Sequence, residues 1–349
     1  MNFKHIIIDP EPPGIENDIC LIADVNNDGF NDIIIGGKQG KGNLVWYKYP
    51  EWKRHTIGTA NLEAGGAVID ITKNGYLDLV AGQPWGPQGG PELYWFENPG
   101  NPEKEWIKRI ICNDLNKYHD QVIGDIDNDE EKEIIFASQQ AQVLAYYDIP
   151  SDPYQSPWPK ECRKIIATEI VVEALVVADI DNDGRNELIA GPNIFKFEGN
   201  TWRRFLLDPS FQLTRVAVGD INQDGLLEII ISEGESYPAR LAWFTAFPEC
   251  RLNVINDQLF HPHSLAVADF TGNGTLDIMV GEMGLGKNPE PKLMIYLNQG
   301  DAHFQEYIIA KNCPTHEAKA GIIGPSGRVS IVGKPYYPQN QVDLWLNQG

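Results

Sequence analysis

A nine-residue acidic phrase recurs along this 349-residue chain and constrains its fold more than any other feature. The first copy reads Asp24-Val-Asn-Asn-Asp-Gly-Phe-Asn-Asp32 and is followed by an aliphatic run. Further copies begin at Asp70, Asp125, Asp179, Asp220 and Asp269, and a shortened copy without acidic residues spans 321–333. The copies are spaced by roughly 41 to 55 residues, which fits the units that build β-propellers.

Two other phrases recur in step with the acidic one. An aromatic-rich segment follows each copy, as in Leu44-Val-Trp-Tyr47. Next comes a segment that begins with an aromatic residue or Cys and usually continues through basic to aliphatic residues, as in Trp52-Lys-Arg-His-Thr-Ile57. With the apolar runs on either side of the acidic phrase, each unit contains four short strands. Seven such units predict an all-β, seven-bladed β-propeller with four antiparallel strands per blade.

The seventh unit lacks its fourth strand at the C-terminus, and Phe3-Lys-His-Ile-Ile-Ile8 has the missing pattern. We therefore predict that the N-terminal strand completes the last blade and closes the ring, which leaves no unpaired edge. The whole chain, 1–349, is then one domain. The predicted blades span about 16–57, 63–111, 119–166, 172–207, 213–255, 263–309, and 317–349 together with 1–9.

The acidic phrase supplies side-chain oxygens at its positions 1, 3, 5 and 9, with glycine usually at position 6. Several hard oxygens around a tight turn suit Ca²⁺, and four loops are predicted to bind it as a structural ion. We number the loops by blade: loop 1 (Asp24, Asn26, Asp28, Asp32), loop 3 (Asp125, Asp127, Asp129, Glu133), loop 4 (Asp179, Asp181, Asp183, Glu187) and loop 5 (Asp220, Asn222, Asp224, Glu228).

These loops are unequal. Loop 4 has four carboxylates and the glycine, so it ranks first, whereas loop 3 carries Glu130 where glycine is expected. Loop 2 (Asp70, Thr72, Asn74, Asp78) and loop 6 (Asp269, Thr271, Asn273, Asp277) have two carboxylates each. Those two loops can equally hydrogen-bond their own backbone, as Asx turns do.

Charge and composition limit the partners. A net charge of -21 disfavours nucleic acid and anionic membranes as partners. No apolar run is long enough to span a bilayer. The five cysteines contain no CxxC pair, and the N-terminus lacks the pattern of a signal peptide. We therefore expect a cytoplasmic protein.

The phrases DIDNDGRNELIAG, starting at Asp179, and HSLAVADFTGNGTLDIMVGE, starting at His263, resemble the FG-GAP/VCBS repeat family. The resemblance covers essentially the whole chain and departs from the family pattern at Glu130 and in the seventh unit. It implies a seven-bladed propeller with calcium loops. The family includes adhesion domains, lectins, and sugar-active lyases and dehydratases, so the resemblance leaves the function open.

A propeller presents its functional residues on loops at one mouth of the central channel. The connections that enter the first strand of each blade, and the ends of the second strands, are expected to meet there. The candidate catalytic residues are His119, His263, His316, Glu173, Lys334 and Tyr336. The candidate substrate-binding residues are Asp18, Lys38, Gln83, Trp85, Gln139, Arg215, Glu233, His261 and Glu282. A water-filled polar mouth would show many of the same residue types.

Histidines, lysines, carboxylates and aromatic residues together suit a small carbohydrate. They also supply what β-elimination requires, namely a base such as His119 or His263 and a cation to hold enolate charge. We predict a lyase or dehydratase that acts on a small uronic or keto sugar. His119, Glu173 and His263 can alternatively hold an additional divalent metal.

Two other functions stay open. One is a non-catalytic calcium propeller that binds carbohydrate or protein. The other is a two-carboxylate glycosidase that uses Glu173, Glu233 or Glu282.

Overall fold

The computed structural model describes residues 1–84, 92–284, 288–335 and 339–349. The candidate site residues Trp85 and Tyr336 lie outside the described residues. Within them the chain forms seven four-stranded antiparallel sheets, which confirms the seven-bladed β-propeller. One 3-10 turn, Lys160–Cys162, precedes the last strand of blade 3.

The strands follow one another in sequence order within blades 1 to 6. Blade 1 contains β2 (Ile15–Ala23), β3 (Asp32–Gln39), β4 (Leu44–Lys48) and β5 (Lys53–Gly58); blade 2 contains β6 (Ala67–Ile69), β7 (Asp78–Gly82), β8 (Leu93–Glu97) and β9 (Ile107–Cys112). Blade 3 contains β10 (Tyr118–Gly124), β11 (Glu133–Ser138), β12 (Val143–Tyr147) and β13 (Arg163–Thr168); blade 4 contains β14 (Leu175–Ala178), β15 (Glu187–Ala190), β16 (Asn193–Glu198) and β17 (Thr201–Leu206). Blade 5 contains β18 (Thr214–Gly219), β19 (Glu228–Glu233), β20 (Ala239–Phe244) and β21 (Leu252–Leu259); blade 6 contains β22 (Pro262–Ala268), β23 (Asp277–Glu282), β24 (Lys292–Asn298) and β25 (Phe304–Lys311). Blade 7 contains β26 (Glu317–Ile322), β27 (Val329–Lys334), β28 (Val342–Asn347) and β1 (Phe3–Asp9).

The second strand of each blade is an apolar run because both of its faces are covered. All residues of β11, β19 and β23 are buried. Ile34 of blade 1, for example, belongs to one hydrophobic cluster with Leu79 and Phe96 of blade 2. A continuous apolar run bounded by turn residues is the sequence signature of such a doubly covered strand.

The N-terminal strand closes the last blade. β1 pairs antiparallel with β28, with Phe3 opposite Asn347 and Ile7 opposite Asp343. The His5 ring stacks on Trp345 with 5.2 Å between ring centroids, and its Nε2 lies 2.8 Å from Asp343 Oδ1. The predicted closure by the N-terminal strand is therefore confirmed.

The chain divides into two compact units. The first unit comprises Pro13–Val177 and Phe197–Arg203, and it holds blades 1 to 3. The second unit comprises Met1–Pro12, Ala178–Lys196 and Arg204–Gly349, and it holds blades 5 to 7 together with loop 4. The single domain expected from the sequence stays a prediction.

In the described part of the chain, no helix has the length and apolar character needed to cross a membrane. The cytoplasmic location stays a prediction.

Candidate functional site

β-Bulges interrupt the first strands of blades 1, 3 and 6 at the predicted site residues. The register shifts around Asp18 in β2, between His119 and Gln121 in β10, and around His263 in β22. A bulge leaves one residue unpaired and redirects its side chain, and bulges are common beside functional sites. Asp18, His119 and His263 each lie six residues before the first aspartate of their acidic phrase, but the sequence gave no sign of the bulges.

In the first unit, His119 is the centre of a buried cluster formed with Asp120, Glu63 and Glu173, here called the His119 cluster. His119 Nδ1 lies 2.6 Å from Asp120 Oδ2, and that carboxylate also accepts the backbone N–H of Ala174. His119 Nε2 lies 4.0 Å from Glu63 Oε1 and 3.9 Å from Glu173 Oε1. The imidazole therefore lies between carboxylates from three segments of the chain.

Two predicted substrate-binding residues border this cluster. Gln139 Nε2 donates a 2.9 Å hydrogen bond to Glu173 Oε1. Lys38 Nζ lies 3.1 Å from Asp18 Oδ2 and 4.0 Å from Glu63 Oε1. Within the described residues, Glu173 Oε2 is buried without a hydrogen-bond partner. The structure thus brings His119, Glu173, Gln139, Lys38 and Asp18 together, and their role in binding a substrate stays a prediction.

The carboxylates decide the protonation of His119. Burial alone lowers the pKa of an imidazole, but Asp120, Glu173 and Glu63 outweigh burial and raise the pKa of His119 to about 9. At neutral pH the ring therefore carries two protons and a positive charge. A protonated imidazole has no lone pair with which to accept a proton, so His119 is poorly suited to act as a general base.

In the second unit, His263 belongs to a second buried group, the His263 cluster, which also contains His316, Arg215, Glu317 and Lys334. The rings of His263 and His316 stack with 4.5 Å between centroids, and His263 Nδ1 lies 2.8 Å from the His316 carbonyl oxygen. Since a carbonyl can only accept, we assign the proton of the neutral His263 ring to Nδ1. Nε2 is then the nitrogen with a free lone pair.

Cationic side chains surround the same carboxylate. Arg215 donates a 2.7 Å hydrogen bond to Glu317 Oε1, and Lys319 Nζ lies 3.0 Å from Glu317 Oε2. Lys334 Nζ lies 3.3 Å from His316 Nδ1. Arg215, Glu317 and Lys334 are all buried.

The surroundings of His263 shift its pKa in the opposite direction from the pKa of His119. Burial, the His316 ring and the Arg215 guanidinium hold the pKa of His263 well below its usual value. Burial raises the pKa of Glu317, yet Arg215, Lys319 and other cations outweigh it and bring that pKa to about 2. The cluster therefore holds a neutral imidazole beside an ionised carboxylate and buried cations.

Glu233 and Glu282 are hydrogen-bonded to residues outside the two clusters. Glu233 accepts hydrogen bonds from the side chain and the backbone N–H of Arg240. Glu282 accepts from the backbone of Phe260 and Lys292 and from Asn288. His261 adjoins the His263 cluster, because its carbonyl accepts the backbone N–H of His263 at 2.8 Å. The Gln83 carbonyl accepts the backbone N–H of Tyr118.

Sequence reasoning missed Glu63, Asp120, Lys319 and Glu235. A carboxylate oxygen of Glu235 lies within 4.8 Å of a ring nitrogen of His263. Glu63 lies in the connection that enters the first strand of blade 2, and Asp120 directly follows His119. A search for every charged residue in that connection and beside His119 would have found both.

The six acidic loops share one hydrogen-bond pattern. In loop 1, the Asp24 carboxylate accepts the backbone N–H groups of Asp28 and Gly29, and the Asp32 carboxylate accepts that of Val25. The first and ninth positions repeat these bonds in loop 2 through loop 6, as for Asp269 with Gly274 and Asp277 with Phe270. The carboxylates at positions 1 and 9 therefore shape every loop through the backbone, and these bonds are not confined to the two weak loops.

Loop 3 has a donor set that fits Ca²⁺. Oxygen atoms of Asp125, Asp127, Asp129 and Glu133 lie within 4.8 Å of one another. Burial and the neighbouring carboxylates raise the pKa of Glu133 to about 8, and among the described residues Asp127 Oδ1 is buried without a hydrogen-bond partner. Glu130 adopts φ 75°, the left-handed conformation for which glycine was expected. Crowded, incompletely paired carboxylates are what a bound cation would satisfy.

Loop 4 differs from loop 3. The ammonium of Lys196 lies 2.6 Å from Asp181, 2.9 Å from Asp183 and 2.8 Å from Glu187. Carboxylate oxygens of Asp179, Asp181 and Glu187 lie within 4.8 Å of one another, as in loop 3. In this loop, which the sequence ranked first for calcium, a positive group already lies among the carboxylates. In loop 5 a neutral amide lies among the carboxylates, where loop 4 has the ammonium. Asn222 Nδ2 donates hydrogen bonds to Asp224 and Glu228.

The comparisons with known proteins support the class that the fold defines. Residues 24–81 match the family described as FG-GAP-like repeat, which confirms the resemblance recognised in the sequence. The chain is therefore a seven-bladed β-propeller with an FG-GAP-like repeat. No curated protein is significantly similar to it in sequence.

One solved structure shares the fold at low sequence identity. It is the crystal structure of BBS1N in complex with ARL6DN, at 10% identity and a TM-score of 0.63, covering 99% of this chain and 96% of that chain. The crystal structure of the V. cholerae biofilm matrix protein Bap1 matches at 12% identity with a TM-score of 0.46, covering 99% of this chain and 70% of that chain.

Proposed function

We propose that the chain is a carbohydrate-active lyase that performs β-elimination on a small uronic sugar at the His263 cluster. The observation that carries the proposal is a buried, neutral imidazole, His263, in one cluster with the buried cations of Arg215 and Lys334. Removal of a proton from the carbon next to a carboxylate has two requirements. One is a base in its neutral form, and the other is fixed positive charge close to the carboxylate.

The reaction would run as follows. The lone pair of His263 Nε2 takes the proton from the sugar carbon next to the carboxylate. The electron pair of that C–H bond forms the C4=C5 double bond, the C4–O bond breaks, and the leaving oxygen takes up, through water, the proton that His263 removed. Atoms and charge balance without an oxidant or a reductant.

The cations have a separate role. Charge develops on the substrate carboxylate as the C–H bond breaks, and Arg215, Lys319 and Lys334 provide positive charge in that region. Burial strengthens this effect, because fixed charges act more strongly where water is excluded. His119 is protonated, so we assign the base role to His263.

We also propose that loop 3 binds Ca²⁺ as a structural ion. The four carboxylates of the loop, the unsatisfied Asp127 oxygen and the family resemblance support this. The ion would neutralise the loop and hold blade 3 in shape, with no part in the elimination.

The test uses the whole protein and a panel of uronic-acid oligosaccharides. Elimination creates a double bond conjugated with a carboxylate, which absorbs in the ultraviolet. We expect wild type to produce this absorbance and His263→Gln to lower its rate by about 100-fold or more. His303→Gln, which changes an exposed histidine, is the matched control and should keep full activity. A fully active His263→Gln variant would contradict the base assignment.

A second function, binding without chemistry, has its own supporting observation. Arg215 and Lys319 both already pair with the Glu317 carboxylate. Such an arrangement can bind a polar ligand without catalysing a reaction on it. BBS1N, whose solved structure shares the fold, is described in complex with ARL6DN. Saturable sugar binding by calorimetry, with no ultraviolet product from any substrate, would favour this alternative over the lyase.

A further inference from the structure

The position of Lys196 follows from the strand register of blade 4. Leu188 of β15 pairs with Phe195 of β16, so the next residues, Glu187 and Lys196, lie side by side. Glu187 is the ninth residue of loop 4, and its carboxylate is fully buried. The register therefore directs the lysine side chain toward the acidic loop.

The Lys196 ammonium satisfies all three of its hydrogens inside loop 4. It donates to Asp181 Oδ2 at 2.6 Å, to Asp183 Oδ2 at 2.9 Å and to Glu187 Oε1 at 2.8 Å. The lysine side chain is only 11% exposed, and an ammonium has three donors and no acceptor. Its hydrogen-bonding capacity is therefore filled by loop carboxylates.

We propose that the ammonium of Lys196 takes the place of a metal ion in loop 4 and holds this loop in shape without calcium. A Ca²⁺ ion requires oxygens at about 2.3–2.6 Å and would occupy the space that the ammonium fills. Two positive charges cannot share that space. This inference concerns loop 4 and does not depend on the proposed elimination activity.

The residues equivalent to Lys196 in blades 1 and 3 do not place a buried ammonium in their acidic loops. Ile33 pairs with Tyr47 in blade 1, so Lys48 lies beside Asp32, yet its ammonium contacts Asp28 at 3.3 Å and its side chain is 39% exposed. In blade 3 the equivalent residue, one beyond Tyr147, is Asp148. Loop 3 instead receives a neutral donor, because the Tyr146 hydroxyl donates to Asp127 Oδ2 at 3.0 Å. Loops 1 and 3 therefore lack the buried internal cation of loop 4.

The experiment counts calcium ions bound to metal-stripped protein by titration calorimetry and follows the melting temperature with and without Ca²⁺. We expect Lys196→Met to bind one more Ca²⁺ than wild type. Its melting temperature should fall in the absence of Ca²⁺ and recover when Ca²⁺ is added. Lys53→Met removes the same charge from an exposed 3.0 Å ion pair with Glu103, and it should bind as many ions as wild type.

A second pair of variants tests the wild-type loop directly, even if Lys196→Met does not fold. Asp181→Asn in loop 4 should leave the number of bound Ca²⁺ ions unchanged, whereas Asp127→Asn in loop 3 should lower it by one. The proposal is overturned if Asp181→Asn loses an ion, because loop 4 would then bind calcium despite Lys196. It is also overturned if folded Lys196→Met gains no ion.

Discussion

His119 and His263 stand at corresponding places in two blades, but their surroundings move their pKa values in opposite directions. Asp120, Glu173 and Glu63 stabilise the charged form of His119, whereas burial, His316 and Arg215 destabilise that of His263. When neighbours separate the pKa values of two similar groups in this way, one group suits proton donation and the other suits proton acceptance. The neighbours of each ring are therefore the reason why the proposed base role is assigned to His263 and not to His119.

At the residue scale, we predict that His119 makes stability depend on pH. Its pKa is about 9 in the folded protein and 6.5 for an ordinary imidazole, which represents the unfolded chain. A raised pKa stabilises the fold fully below pH 6.5, and this contribution is lost as pH rises through 9. We expect His119→Gln to remove on the order of 3 kcal/mol from the difference in unfolding free energy between low and high pH.

Chemical denaturation at about pH 6 and about pH 10 measures this difference. The groups that face His119 are Asp120, Glu63 and Glu173, and Lys38 adjoins Glu63. His303→Gln, at an exposed ring, is the control and should keep the wild-type pH dependence. If wild type and His119→Gln lose the same stability over this range, the carboxylates do not hold the proton on His119.

At the element scale, an asparagine at the end of the third strand joins neighbouring blades. Asn98 donates to the Val25 carbonyl of loop 1, Asn298 to the Ile221 carbonyl of loop 5, and Asn347 to the Phe270 carbonyl of loop 6. Each amide also donates to its own blade, and its oxygen accepts the N–H of a glycine two residues later. The asparagine thus ties one blade to the acidic loop of the preceding blade.

We predict that Asn298→Ala destabilises the protein by about 2–3 kcal/mol, because it leaves buried carbonyl and N–H groups without partners. Denaturant unfolding measures the change. Asn253→Ala is the matched control, since the Asn253 amide donates to the Arg251 carbonyl at an exposed position, and it should cost less than about 0.5 kcal/mol. Equal effects of the two variants would show that the bond between blades contributes nothing.

Most features of the strands and blades were predictable from the sequence. The period of the repeats and the apolar runs predicted the blades and their strand order, because both depend on local patterns. The asparagine link was not predicted, although Asn98, Asn298 and Asn347 each precede a glycine by two residues. The bulges at Asp18, Asp120 and His263 were also missed, since a bulge depends on the register between two strands.

At the scale of the whole molecule, the N-terminal strand β1 covers the edge of β28, which would otherwise be exposed. Without β1, the backbone groups of β28 would have no partner strand on that side, and Trp345 would lose the stacked His5 ring. We predict that deletion of residues 1–9 lowers the melting temperature by roughly 10 °C or more and promotes aggregation. Thermal unfolding and size-exclusion chromatography measure both effects.

A synthetic peptide of residues 1–9 should restore the melting temperature of the truncated protein. A peptide with the same residues in scrambled order is the control and should not restore it. An unchanged melting temperature after the deletion would show that β1 adds nothing to the stability of blade 7.

The sequence by itself determined the repeat, the number of blades, the acidic loops and the closing strand. These features depend on the spacing of the repeats and on the pattern of apolar residues, and both are local properties of the sequence. Only the tertiary structure decided which histidine is neutral and which loop contains an internal cation. Arg215 and Glu317 are 102 positions apart in the chain but only 2.7 Å apart in space. The charge state of a buried group depends on all the charges packed around it, and packing alone brings those residues together.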